Sequence, residues 1–203
     1  MKRKIIITVM LLIIAIGSYG AYIFLEGNEG SKVETKTDGE RFAEDYTLLN
    51  KENVFVYRTA EEIVKILENG TGVVYLGFDE CRWCQQYVVY LNEVAQDVGV
   101  EKIYYLDILE DRTSNTKEYQ QIVELLSDNL GFDNEGNPRV AVPDVSIIKK
   151  GEIIGHDNET AWISDSELKT TDYWTEERVL KLKEKLIEML SQVSDKACSE
   201  CNQ

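Results

Sequence analysis

The chain of 203 residues is long enough for one hydrophobic core with appendages, and it has no self-similar period of the kind that marks a repeat array. Its 37 acidic residues against 22 basic ones give a net charge of −15, which excludes nucleic acid as a partner because phosphates would be repelled. The same acidity suits a soluble, non-aggregating surface.

The first 41 residues divide into three parts. Residues 1–4 form a basic stub with Lys2, Arg3 and Lys4, whereas Ile5 to Leu25 carry no charged side chain. About 21 residues at a rise of about 1.5 Å cross a hydrocarbon core of about 30 Å, so residues 5–25 are expected to be a transmembrane signal anchor. Basic residues before it, with Glu26, Glu29 and Glu34 after it, put the amino terminus in the cytoplasm and the rest outside. The expected location is therefore the cell membrane, as a single-pass protein. A cleavable signal peptide is the competing reading, with Ser18-Tyr19-Gly20 as its small residues; the apolar run continues to Leu25 and favours the anchor. No cysteine follows at short range, so a lipid attachment is not expected. Residues 26–41 are polar and contain glycine, and read as a flexible stalk.

A folded domain is expected over 42–193. "NVFVYR" reads as a strand, "TAEEIVKILENG" as a helix opened by Thr59 and closed by Gly70, and "GVVYLGF" as a buried strand. Cys84, Tyr87, Val88, Leu91, Ala95 and Val98 then recur at helical spacing, which places Cys81 in the first turn of an amphipathic helix. "KIYYLDI" follows as a strand and "TKEYQQIVELLSDNL" as a helix stopped by Gly131; "FDNEGNPRV" reads as a loop. Pro143 leads into "DVSIIKKGEIIG", a hairpin turning at Lys150-Gly151. A long polar stretch ends in a helix with Val179, Leu182, Leu186, Leu190 and Val193 on one stripe, and a tail over 194–203 ends "KACSECNQ". Strands alternating with helices describe an α/β three-layer sandwich around a mixed sheet.

Cys81-Arg82-Trp83-Cys84 has the spacing of a redox dithiol. Unpaired N–H groups at a helix amino terminus stabilise a thiolate, the species that attacks disulfides, and Cys84 one turn on would resolve the mixed disulfide. Arg82 favours ionisation of Cys81 and Asp79 and Glu80 oppose it, so the net sign is open. Zinc or copper(I) is the rival reading, with Cys198 and Cys201 completing a four-thiolate set. Structural zinc pairs usually lie on knuckles, whereas this pair opens a long helix behind a buried strand, which suits exchange chemistry and calls for no metal and no cofactor.

The order strand, Cys81-Arg82-Trp83-Cys84, helix, strand, helix, then Val142-Pro143 before the hairpin, resembles the thioredoxin superfamily over roughly Asn53 to Val193. "VVYLGFDECRWCQQYVVYLNEVA", "IYYLDI" and the long polar segment are further similar to its membrane-anchored Gram-positive bacteriocin transport accessory (maturation disulfide isomerase) branch. The resemblance implies a thioredoxin-like fold, Cys81 as nucleophile, Cys84 as resolving thiol, a cis peptide before Pro143, and Val142 as the residue whose backbone pairs with substrate. It also implies an extracytoplasmic thiol–disulfide oxidoreductase whose partners are cysteine-containing exported proteins or peptides and a redox partner protein. Two departures stand out. Tyr75 occupies the position six residues before the first cysteine where many thioredoxins have a buried aspartate, which leaves no identified proton acceptor for the resolving thiol, and Arg-Trp replaces the Gly-Pro of reducing thioredoxins, so the direction of electron flow is open.

Trp83 would serve as a substrate platform, as an apolar cover over Cys84, or both. His156 is expected to be a solvated loop residue outside the site. Cys198 and Cys201 are a candidate second redox pair, with an inert tail disulfide as the plain alternative. A membrane-tethered metal module and a non-catalytic accessory to an export machine remain as functions of other classes.

Overall fold

The computed structural model describes residues 36–194. The basic stub, the expected anchor over 5–25, most of the expected stalk, and the Cys198–Cys201 pair lie outside the described residues. Among the described residues no helix is long and apolar enough to cross a membrane.

The first element is a helix, α1 (Asp38–Asp45), which begins inside the segment expected to be a stalk. The cause is local: Thr37 Oγ1 accepts from the Glu40 N–H at 3.2 Å, and the Glu40 carboxylate accepts from the Thr37 N–H at 3.0 Å. This reciprocal capping box satisfies two otherwise unpaired helix donors. Phe42 and Tyr46 on the inner face are fully buried, and the Tyr57 hydroxyl bonds the Asp45 carboxylate. Among the described residues, folded structure therefore reaches back to the Thr37 cap, ahead of Phe42.

The remaining elements follow the expected order, with β1 (Phe55–Tyr57), α2 (Ala60–Asn69), β2 (Thr71–Gly77), α3 (Arg82–Val98) and β3 (Ile103–Asp107). A short helix α4 (Leu109–Ser114) precedes α5 (Lys117–Leu126). The stretch read as a loop is a small hairpin, with β4 (Gly131–Phe132) paired to β5 (Pro138–Arg139). Its turn is held by the Asp133 carboxylate, which accepts from the Glu135 and Asn137 N–H groups at 2.9 Å each. Then come β6 (Asp144–Lys149) and β7 (Glu152–Asp157), turning at Lys150 and Gly151, both with positive φ, as a two-residue hairpin requires. The polar stretch contains a 3-10 turn (Glu159–Trp162) and a one-turn helix α6 (Thr170–Tyr173), and α7 (Glu176–Leu190) closes the unit.

The sheet order is β1-β3-β2-β6-β7, with β1, β3 and β2 parallel and β6 and β7 antiparallel. The structure is thus α/β with a mixed five-stranded sheet. Val73 to Gly77 and Asp144 to Ile148 are buried without a break, which requires cover on both faces of the sheet. Helices α3 and α7 pack together, as do α2 and α5. Under α3 the core is aromatic: Phe42 stacks on Phe55 at 3.9 Å and meets Tyr105 edge-on at 4.9 Å, and Tyr75 lies between Tyr105 and Tyr87. On α7 the inner stripe is Leu182, Leu186, Met189 and Leu190, while Val179 and Val193 are half-buried.

Phe42→Ala is expected to cost about 3–5 kcal/mol, the range for emptying a buried aromatic site. Urea denaturation of the two proteins measures it. A loss below about 1 kcal/mol, typical of surface positions, would mean that α1 is not part of the core.

Candidate active site

Strand β2 delivers the chain through Phe78, Asp79 and Glu80 to Cys81, which is the N-cap of α3 rather than a residue of its first turn. Cys81 Sγ accepts from the Cys84 N–H at 3.1 Å, and the Cys81 N–H donates to the Phe78 carbonyl at 3.2 Å. The two cysteines are joined as a disulfide with Cα atoms 5.1 Å apart. Cys84 is fully buried and Cys81 is only partly so, which makes Cys81 Sγ the sulfur open to attack and Cys84 the leaving group.

Opposite the disulfide, the Val142–Pro143 peptide is cis and the Val142 carbonyl lies 3.9 Å from Cys81 Sγ. The register explains this proximity. Leu76 on β2 pairs with Asp144 on β6, so Pro143, one residue earlier on an antiparallel strand, arrives where β2 ends. The Arg82 guanidinium donates to the carbonyls of Asp165 at 2.7 Å and Ser166 at 3.1 Å. Trp83 is 6% exposed and packs edge-on to Tyr173 at 5.2 Å, so it anchors the polar segment before α7 while also walling the groove beside Cys81.

Carboxyl groups crowd the entrance to α3. A hydrogen bond that the protonated Glu80 carboxyl donates to Asp79 raises the pKa of this exposed group. Asp107 is exposed at the end of β3, and partial desolvation raises its pKa, opposed by the Leu109 N–H and reinforced by the charges of Asp79 and Asp45. Behind the dithiol the polar groups are phenols. Burial holds Tyr75 neutral, as it does Tyr46, Tyr87 and Tyr105, so this layer puts no phenolate charge behind the dithiol.

His156 is not a solvated loop residue. It lies on β7 with its side chain 10% exposed, and its Nε2 is 3.0 Å from Oδ2 of the buried Asp144, the residue after Pro143. The strand runs past Gly155 through His156 and Asp157, and Asp157 too has partners elsewhere in the fold. Asp157 accepts from the Tyr87 hydroxyl at 2.6 Å and from Lys185 Nζ at 2.5 Å.

Comparison with family models, with characterised proteins and with solved structures finds no match for this chain. The geometry therefore carries the functional reading.

The structure brings Cys81, Cys84, Arg82, Trp83, Val142 and Pro143 to one end of the sheet, and Cys198 and Cys201 lie outside the described residues. The last described turn, Ser191–Val193, sits by Thr71, at the end of β2 away from Cys81. Four residues near the dithiol escaped sequence reading: Arg112 on α4, Phe132 and Arg139 on the small hairpin, and Trp162. Only the hairpin had a signal, the Asp133-to-Pro138 turn residues. Trp162 lies flat on Gly131, where a Cβ would collide with its ring, so glycine there joins the hairpin to the 3-10 turn.

Asp107 yields a pH prediction. A carboxyl whose folded pKa is raised binds its proton more tightly in the folded state, so its ionisation destabilises the fold as pH rises through that value. Asp107→Asn keeps an acceptor for the Leu109 N–H and removes the charge. Its melting temperature is expected to exceed the parent's at pH 7, with the difference shrinking towards about pH 4, where the aspartate of the unfolded chain becomes protonated. Calorimetry across that range checks it, and a variant less stable at pH 7 would contradict it.

Proposed function

We propose that this chain is a thiol–disulfide oxidoreductase with a thioredoxin-like fold, held at the outer face of the membrane by residues 5–25 and acting on cysteines of exported proteins or peptides. The observation that carries this reading is the Cys81–Cys84 disulfide at the start of α3, with one sulfur accessible, the other buried, and the cis Val142–Pro143 peptide against the first. The sheet order, three parallel strands followed by an antiparallel hairpin after that proline, supports the thioredoxin-like assignment. The accessory branch named above is the likeness that supports an exported substrate.

In the oxidised form, a substrate thiolate attacks Cys81 Sγ, the Cys81–Cys84 bond breaks, and the electron pair leaves on Cys84. A second substrate thiolate then attacks the substrate sulfur of the mixed disulfide and expels Cys81, so the substrate loses two electrons and the dithiol gains them. Run in reverse, Cys81 thiolate opens a substrate disulfide and Cys84 resolves the adduct. In either direction the cap position lets the Cys84 N–H stabilise negative charge on Cys81 Sγ.

Cys81→Ser is expected to drop exchange with a model disulfide to the uncatalysed background, because serine forms no thiolate. Cys84→Ser is expected to accumulate a covalent Cys81–substrate adduct visible by non-reducing electrophoresis and mass spectrometry. Retained exchange in Cys81→Ser would overturn Cys81 as the nucleophile, and a Cys81→Ser variant that stays fully active in the cell would favour an accessory that docks without catalysing.

A further inference from the structure

An open groove of about 480 Å³ runs beside Cys81 and the Val142 carbonyl side of the site. Two of its walls are large apolar side chains left in solvent, Phe132 at 63% and Trp162 at 41% exposure, with buried Trp83 behind the sulfur. Exposed aromatic surface of this kind is the usual mark of a contact surface.

The charge of the groove runs against that of the chain. Arg82, Arg112 and Arg139 line it together with only two carboxylates, Glu80 and Asp133, in a protein of net charge −15. The ion pairs among the described residues use lysines or His156, so none of these three arginines is paired with a carboxylate there. Arg82 is occupied by the two backbone carbonyls already described, and the Arg112 guanidinium lies 5.1 Å from the Phe78 ring with a long 3.4 Å contact to the Val140 carbonyl. Burial first, and then the Arg139 charge, lower the pKa of Arg112, opposed by Tyr119 and Asp107. Asp133 is held by its own turn, and Glu80 by Asp79, so the two local carboxylates are engaged elsewhere.

We propose that the groove selects cysteine-bearing peptide segments that carry an aspartate or glutamate together with an aromatic or large aliphatic residue close to the reacting cysteine. The acidic side chain is received between Arg112 and Arg139, and the apolar one between Phe132 and Trp162. This rests on the exchange reading above and adds the substrate class to it. Arg112 and Arg139 act by positioning the peptide, not on the reacting sulfurs.

Bulk electrostatics predicts the opposite order, which makes the test discriminating. A strongly acidic protein attracts basic peptides over long range and repels acidic ones. The experiment uses the reduced full chain and three peptides of equal length, each with one tryptophan and one cysteine capped as a neutral mercaptoethanol disulfide, flanked by aspartate, glycine or lysine. Bis(2-hydroxyethyl) disulfide serves as an uncharged small substrate. The acidic peptide is expected to exceed the lysine one, on the order of tenfold, in the second-order rate constant for oxidising the reduced chain, as one charge-assisted contact supplies. Arg139→Gln and Arg112→Gln are each expected to reduce that ratio several-fold, and Arg139→Glu to invert it, a readout that a structural role alone would not move. A flat or lysine-favouring order, with the small disulfide still exchanged, would overturn the substrate class while leaving the exchange reading in place. No exchange with any substrate, including the small disulfide, would overturn both.

Discussion

The antiparallel pairing of Leu76 with Asp144 fixes both sides of the dithiol site. It brings Pro143 to the end of β2 from which the chain turns into α3, so the sulfur of Cys81 and the carbonyl of Val142 become neighbours although 61 residues separate them in sequence. Shifting that register by one residue would turn Val145 and Ile147 from one face of the sheet to the other, and the core resists such a change. The geometry around Cys81 is thereby tied to the packing of the whole sheet.

The helix side is held just as firmly. Tyr87, one turn beyond Cys84, stacks near Tyr75 and donates to Asp157, which in turn accepts from Lys185 on α7. One buried carboxylate so connects α3, β7 and α7, and it is matched by Asp144 and His156 next to Pro143. The aromatic layer from Phe42 to Tyr87 fills the space below α3 with rings whose hydroxyls burial keeps neutral. The dithiol consequently meets a helix amino terminus on one side and a crowd of carboxyl groups, Asp79, Glu80 and Asp107, on the other, two fields of opposite sign.

Much of this was legible in the sequence because it rests on local patterns. The apolar run of β2, the helical spacing after Cys84 and the Lys150-Gly151 turn each have a period or a backbone requirement that the residues display. What escaped depends on partners distant in the chain or on signals too short to register. The capping box at Thr37 sits in a polar stretch with no apolar period before Phe42, and α4 is only six residues long. His156 and Asp157 look like loop residues until Asp144, Tyr87 and Lys185 are in place around them. The arginines and exposed aromatics of the groove come from α4, the small hairpin and the 3-10 turn, and only the fold makes them neighbours.

The claim that everything else rests on is that Cys81 and Cys84 form a reversible two-electron couple. Equilibrating the full chain across a glutathione redox series, with alkylation and peptide mapping of Cys81 and Cys84, tests it most directly. Both thiols are expected to appear together along one two-electron curve with a midpoint inside the range of known exchange proteins, about −270 to −120 mV. Thiols that never equilibrate, or that stay masked until a chelator is added, would contradict it.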